Sequence, residues 1–268
     1  MKIGFYQFVP EFGNTQKNIA TMVDAVRNAD ADLVVFPELA TSGYLFLKQD
    51  EVAAVAESVP GPASRAFSAV AVETDTAVVV GFPEKCGDVY YNSAMLATPD
   101  GRVQVYRKNH LYNEEKLFFQ PGDLGFPVFE VKGIKIGLLI CFDHMFPESA
   151  RCLALQGVQI VCHAANLVLP EYAQITSRSR ALENKIFWIL ANRCGSESRG
   201  GKFLSYSGRG QIVDPNGQVM VSAGPDDTGF FSVDIDPETA NKKRLAPLCD
   251  VFEDRRPELY NLLTEKRM

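Results

Sequence analysis

The chain has 268 residues, 46% of them hydrophobic and 22% charged, which suits a sizeable folded core built as one large α/β unit or two ordinary ones. Its 27 lysines and arginines against 33 aspartates and glutamates leave a net charge of −6, and the basic residues are scattered, which argues against nucleic acid as a partner. No run reaches membrane-spanning length, and Cys86, Cys141, Cys152, Cys162, Cys194 and Cys249, in a chain without a secretory signal, read as reduced thiols, so a cytoplasmic address is expected.

In chain order, residues 3–8 read as a strand, and residues 14–29 as a helix capped by Asn14 with Ile19, Met22, Val23 and Val26 at helical spacing. A strand over 33–36 is followed by a helix over 62–73 and a strand over 77–82. Strands over 90–97 and 103–108 flank the turn Thr98-Pro99-Asp100-Gly101 and predict a hairpin. Further strands are predicted over 134–141, 160–163, 187–192, 210–213 and 229–235, with helices over 147–156 and 172–185. Continuous apolar runs such as Leu33-Val34-Val35-Phe36 and Ala77-Val78-Val79-Val80 suit strands covered on both faces, whereas the hairpin demands antiparallel pairing; the sheets are therefore expected to be mixed. A second such turn, Asp214-Pro215-Asn216-Gly217, hints at two similarly built halves without a sequence repeat.

Reactive residues at strand ends are the natural place to seek chemistry, because a rigid scaffold aims them while loops give access. Phe36-Pro37-Glu38, Tyr106-Arg107-Lys108 and Ile140-Cys141 each end a strand. Cys141 stands where a helix is expected to begin, so its thiol faces free backbone N–H groups that favour a thiolate. Glu38 is suited to take the thiol proton and Lys108 to stabilise an oxyanion, with the Phe142 N–H as a second oxyanion donor. Cys162 also ends an apolar run but is followed by His163-Ala164-Ala165-Asn166 rather than a helix start, and reads as core packing.

Three ordered motifs carry a resemblance. They are Phe36-Pro37-Glu38-Leu39 with Gly43-Tyr44; Tyr106-Arg107-Lys108-Asn109-His110-Leu111 leading into the segment 115–123; and Cys141-Phe142-Asp143 with Phe146-Pro147-Glu148-Ser149-Ala150-Arg151. With them the chain resembles the carbon-nitrogen hydrolase (nitrilase) superfamily over nearly its whole length. The resemblance implies an α/β fold of the four-layer α-β-β-α sandwich type, two mixed sheets flanked by helices. It implies one domain over 1–268, with 245–268 a C-terminal tail lying against a partner subunit of a homodimer or larger assembly. It also implies Glu38 as general base, Lys108 as oxyanion stabiliser and Cys141 as nucleophile, with Glu115 as a second glutamate positioning substrate. Tyr44, Asn166 and Leu167 are expected at the substrate, and Glu183, in the segment Arg180-Ala181-Leu182-Glu183-Asn184, is expected to orient Lys108.

Relatives that hydrolyse nitriles typically have Trp and Glu directly after the cysteine, where this chain has Phe142 and Asp143. That favours a small linear amide as substrate, with N-carbamoyl compounds the alternative because the segment 115–123 is shared with relatives acting on them. No cofactor is implied. Two readings of other classes remain open to the sequence: a Cys–His mechanism using His110, His144 or His163, and a binding protein on the same fold. A metal site on Cys141 and His144 lacks the further ligands of a tetrahedral set.

Overall fold

Apolar strands covered on both faces organise the structure, a computed structural model that describes residues 1–265. The strands are β1 (Lys2–Gln7), β2 (Leu33–Val35), β3 (Ala77–Cys86), β4 (Val89–Ala97), β5 (Val103–Arg107), β6 (Val128–Val131), β7 (Ile134–Ile140), β8 (Ile160–Ala165), β9 (Phe187–Asn192), β10 (Ser196–Arg199), β11 (Lys202–Ser205), β12 (Gln211–Val213), β13 (Val219–Ser222), β14 (Gly229–Asp234), β15 (Arg244–Ala246) and β16 (Cys249–Asp250). The helices are α1 (Thr15–Asn28), α2 (Gln49–Val55), α3 (Pro62–Thr74), α4 (Pro147–Leu155) and α5 (Tyr172–Asn184). None of the described helices is long and apolar enough to cross a membrane.

One six-stranded sheet runs β14-β1-β2-β3-β4-β5 and the other β6-β7-β8-β9-β12-β13. Read in that order, both show the same succession of one antiparallel, two parallel and two antiparallel pairings. The two halves are thus built alike, as the pair of late-hairpin turns suggests.

Alternation of side chains sorts each apolar run onto two faces. Leu33, Val35, Ala77 and Val79 join the core shared with the second sheet, with Leu138, Ile140 and Trp188 among its members. Val34, Val78, Val80 and Phe36 turn the other way, against Met22 and Val26 of α1 and Phe67 and Val70 of α3. On the far side of the second sheet, Ala150 and Leu153 of α4 and Ala173 and Ala181 of α5 complete an α-β-β-α sandwich. Burying each such aliphatic side chain stabilises the fold by roughly 1.5–3 kcal/mol, so the core rather than helix propensity sets the architecture.

Several elements go beyond the sequence expectation. β3 continues to Cys86, and α2, β6, β13 and the hairpin β10–β11 are additional. In the C-terminal stretch Phe252 packs on its own chain, with the Arg151 guanidinium 5.2 Å and the Lys243 ammonium 4.8 Å from its ring centre. Of the expected tail over 245–268, residues 266–268 lie outside the described residues.

Candidate active site

Glu38 leaves the end of β2 on the turn Phe36-Pro37-Glu38-Leu39, whose backbone lies directly on β3. Gly81 makes that approach possible: a Cβ there would stand 2.5 Å from the Pro37 carbonyl oxygen and the Leu39 nitrogen and 2.6 Å from the Glu38 Cα. The Glu38 carboxylate is fully buried. Its Oε1 accepts from Asn92 Nδ2 and from Lys108 Nζ, each at 2.7 Å. Its Oε2 has no hydrogen-bond partner among the described residues. Burial pushes the carboxyl above its ordinary range; Lys108 opposes that shift and Glu115 adds to it.

Lys108 follows β5 directly, and its N–H donates to the Asn92 carbonyl at 2.8 Å, which holds the backbone beside β4. Nζ stands 2.8 Å from Glu115 as well as 2.7 Å from Glu38. Glu115, in the turn Asn113–Leu117, is itself fixed: Tyr44 Oη donates to its Oε1 at 2.7 Å and the Tyr112 N–H to its Oε2 at 3.1 Å. Burial works against the ammonium, but Glu115 and Glu38 outweigh it, so Lys108 titrates above its ordinary range and stays charged. Tyr44 is half-buried with its hydroxyl end beside the same carboxylates, and desolvation and their charge both raise that hydroxyl above its ordinary range.

Cys141 ends β7 in the left-handed region, with φ +43°. A non-glycine residue there costs on the order of 1 kcal/mol or more, a strain that persists only when the surroundings impose it. Asp143 does much of the imposing. Fully buried, it accepts from the Ile140 N–H at 2.9 Å, the Tyr106 hydroxyl at 2.7 Å and the His110 N–H at 3.1 Å, and meets His110 Nδ1 at 2.7 Å. The expected thiolate at a helix N-terminus is corrected here. A 3₁₀ turn, Cys141–Met145, intervenes before α4 begins at Pro147, and burial together with the Glu38 charge pushes the thiol well above its ordinary range, against the pull of Lys108. Both influences favour the thiol over the thiolate at rest.

Above Cys141 opens a cavity of about 480 Å³. Tyr44, Glu115, Phe142, Asn166 and Leu167, all singled out in the sequence, line it. Asn166 also joins the two sheets, because its Nδ2 donates to the Glu38 carbonyl at 2.9 Å while its Oδ1 is left unpartnered. The remaining wall is mostly apolar, with Phe46, Phe118 and Leu204 among its members. The hairpin β10–β11, which turns at Gly200-Gly201 with both residues at positive φ, adds Lys202 and Phe203. Its tip is pinned on both sides of the turn, Arg199 to Glu51 at 2.7 Å and Lys202 to Glu114 at 2.6 Å.

Glu183 does not orient Lys108. It lies near the C-terminal end of α5, 40% exposed, paired with Arg180 at 3.2 Å in i,i+3 register, while the partners of Lys108 are Glu38 and Glu115. Sequence reasoning did not reach Asn92 or Asp143 as supports. The signal for Asn92 was a lone amide in the apolar strand 90–97.

The histidines are committed elsewhere. His110 is held by Asp143, and His144 Nδ1 meets Thr176 Oγ1 at 2.7 Å. His163 sits beneath the nucleophile turn, with Nε2 2.9 Å from the Cys141 carbonyl oxygen and Nδ1 3.3 Å from Trp188 Nε1. A carbonyl only accepts and an indole N–H only donates, so Nε2 carries the proton and Nδ1 is the acceptor. Burial pushes this imidazole well below its ordinary titration range, in keeping with a neutral ring. Cys162 is fully buried in the core, where burial raises its thiol too.

The carbon-nitrogen hydrolase family model matches residues 2–244. The chain is 41% identical over 264 residues to a nitrilase of Pyrococcus abyssi, covering 97% of this chain and 99% of that one. It is 34% identical over 271 residues to an (R)-stereoselective amidase of a Pseudomonas species, covering 99% and 95%. Among solved structures, the amidase of Nesterenkonia sp. AN1, in a form whose active-site cysteine has added acrylamide, superposes with a TM-score of 0.81 at 30% identity, covering 98% of this chain and 99% of that one.

Proposed function

The chain belongs to the carbon-nitrogen hydrolase family and is a hydrolase of the amidase type, and from that premise we propose that it cleaves small linear amides to carboxylic acid and ammonia through a thioester on Cys141. The observation that carries the reading is the charge cluster under the thiol: Lys108 gripped by Glu38 and Glu115, with Glu38 Oε2 left free to take a proton.

Since burial and the Glu38 charge favour a thiol at rest, proton transfer accompanies attack. Glu38 Oε2 takes the Sγ proton as sulfur adds to the amide carbonyl carbon. The negative charge that leaves sulfur appears on the carbonyl oxygen, where a Lys108 Nζ–H and the Phe142 N–H receive it. Collapse breaks the C–N bond, and the proton held by Glu38 goes to the departing nitrogen as ammonia. Water, deprotonated by Glu38, then adds to the thioester, and the thiol leaves with that proton. Glu115 keeps Lys108 charged and aimed throughout, and every proton and charge in the scheme is handled by a group of the chain itself. Phe142 and Asp143 in place of Trp and Glu support amide over nitrile.

The test is ammonia release over short aliphatic amides, ω-amides of dicarboxylic acids, N-carbamoyl amines and small nitriles, with Cys141→Ala as control. Amide turnover that vanishes in the control is expected, and the thioester is expected as an acyl adduct on Cys141 by mass spectrometry. Turnover of nitriles alone would overturn the assignment. For assembly we propose a homodimer or larger form, supported by Leu245, Leu248, Leu259, Leu262 and Leu263, all exposed along the C-terminal stretch. A monomer mass by light scattering is the contrary result. A reducing cytoplasm suits the six free thiols.

A further inference from the structure

One buried polar group beneath the nucleophile takes no part in the scheme above. His163 and Trp188 are both fully buried, yet they form a directed chain: the indole N–H donates to His163 Nδ1, and His163 Nε2–H donates to the Cys141 carbonyl. We propose that His163 is a positioning residue for the oxyanion hole, holding through the Cys141 carbonyl the one peptide plane whose opposite end is the Phe142 N–H.

The Cys141 carbonyl and the Phe142 N–H belong to one peptide unit, and in a planar trans peptide they point in opposite directions. Fixing the oxygen downward against His163 on β8 therefore fixes the N–H upward, on the side where Cys141 and Phe142 line the cavity. Outside its own 3₁₀ turn, the Phe142 N–H meets no backbone acceptor among the described residues. Cys141 at φ +43° is a strained residue whose geometry persists only because its surroundings impose it, and the His163 contact opposes a flip of the peptide plane that follows it. The flipped plane would turn a carbonyl oxygen toward the developing oxyanion and would strand the buried His163 Nε2–H without an acceptor. Trp188 completes the device: by donating to Nδ1 it excludes the tautomer in which Nε2 would present a lone pair to the carbonyl.

The inference rests on the thioester reading, and its test separates the two. His163→Leu removes the donor and His163→Gln supplies another at a similar reach. Amide hydrolysis is compared with inhibition by the aldehyde matching the acyl group, which needs the oxyanion hole, and with capture of Cys141 by methyl methanethiosulfonate, which reacts at sulfur and builds no oxyanion. In His163→Leu, kcat should fall about 10- to 100-fold with KM little changed, and aldehyde affinity should fall in step. The rate of Cys141 capture, followed by mass on its peptide, should stay within about twofold, and His163→Gln should recover much of kcat. Should His163→Leu fail to fold, Trp188→Phe, which keeps the bulk and removes the N–H, should give the same split with a smaller loss. Capture slowing as much as hydrolysis, or hydrolysis unchanged in these variants, overturns the positioning role while the amidase reading stands. A wild-type protein that releases no ammonia from any amide overturns both.

Discussion

Replacing Glu115 by Gln tests whether the two carboxylates share Lys108 as the geometry implies. Their oxygens touch the same nitrogen at 2.7 and 2.8 Å, so they lie within about 5.5 Å of each other. At an effective dielectric of about 20, two like charges about 5 Å apart repel by about 3 kcal/mol, which corresponds to roughly two pH units on the ionisation of either one. The repulsion from Glu115 is one of the influences raising Glu38, and Gln removes it while leaving an amide oxygen for the Tyr112 N–H. Lys108 is also left with Glu38 as its only carboxylate among the described residues, which further favours ionised Glu38. Both effects have one sign: proton loss from Glu38 becomes easier. The acid limb of kcat/KM against pH, which reports the coupled pair as an apparent value, should therefore move one to two units lower. The plateau should fall about 10- to 100-fold as the ammonium loses half of its cradle. An acid limb that stays in place or moves upward refutes the shared-lysine argument, whatever happens to the plateau.

Two further variants probe supports rather than reacting groups. Gly81→Ala puts a methyl group 2.5 Å from backbone atoms of the Pro37–Leu39 turn, which has no side chain to swing aside; displacing Glu38 by about 1 Å should cost on the order of 100-fold in kcat/KM, and the overpacking about 1–3 kcal/mol by denaturant titration. Activity within threefold of the parent counts against the close approach. His144 is buried, and burial with the nearby Arg180 charge lowers it from 6.5 to about 4. The unfolded chain therefore binds a proton first as pH falls, so stability present above pH 6.5 is lost toward pH 4, by about 3 kcal/mol. His144→Gln should flatten the melting temperature against pH in that window, and an unchanged slope contradicts the buried neutral ring.

The layers and most strands were legible because long apolar runs and turn signals do not depend on distant partners. Thr98-Pro99-Asp100-Gly101 and Asp214-Pro215-Asn216-Gly217 each join antiparallel neighbours as expected. Arg199-Gly200-Gly201-Lys202 carried an equally plain two-residue turn, yet its flanks, Ser196–Arg199 and Lys202–Ser205, are too polar to announce strands. Glu38, Lys108 and Cys141 were singled out by strand-end position and, with Glu115, by resemblance, and the fold brings both carboxylates onto the lysine. The protonation state of Cys141 was not legible, because it depends on burial and on a carboxylate 103 positions earlier in the chain. Glu183 misled for a related reason: a charge on a helix has a local partner at i−3 that sequence shows as readily as a distant one.

The matched sheets carry a consequence for the order of events during folding. Glu38 and Lys108 hang from the first sheet and Cys141 from the second, so neither sheet alone holds a base and a nucleophile. Until the two faces dock, Cys141 is an ordinary thiol. Recovery of activity during refolding is therefore a clock for sheet docking, whereas far-ultraviolet circular dichroism times the sheets themselves; a lag between the two signals measures how long the assembled halves wait to meet.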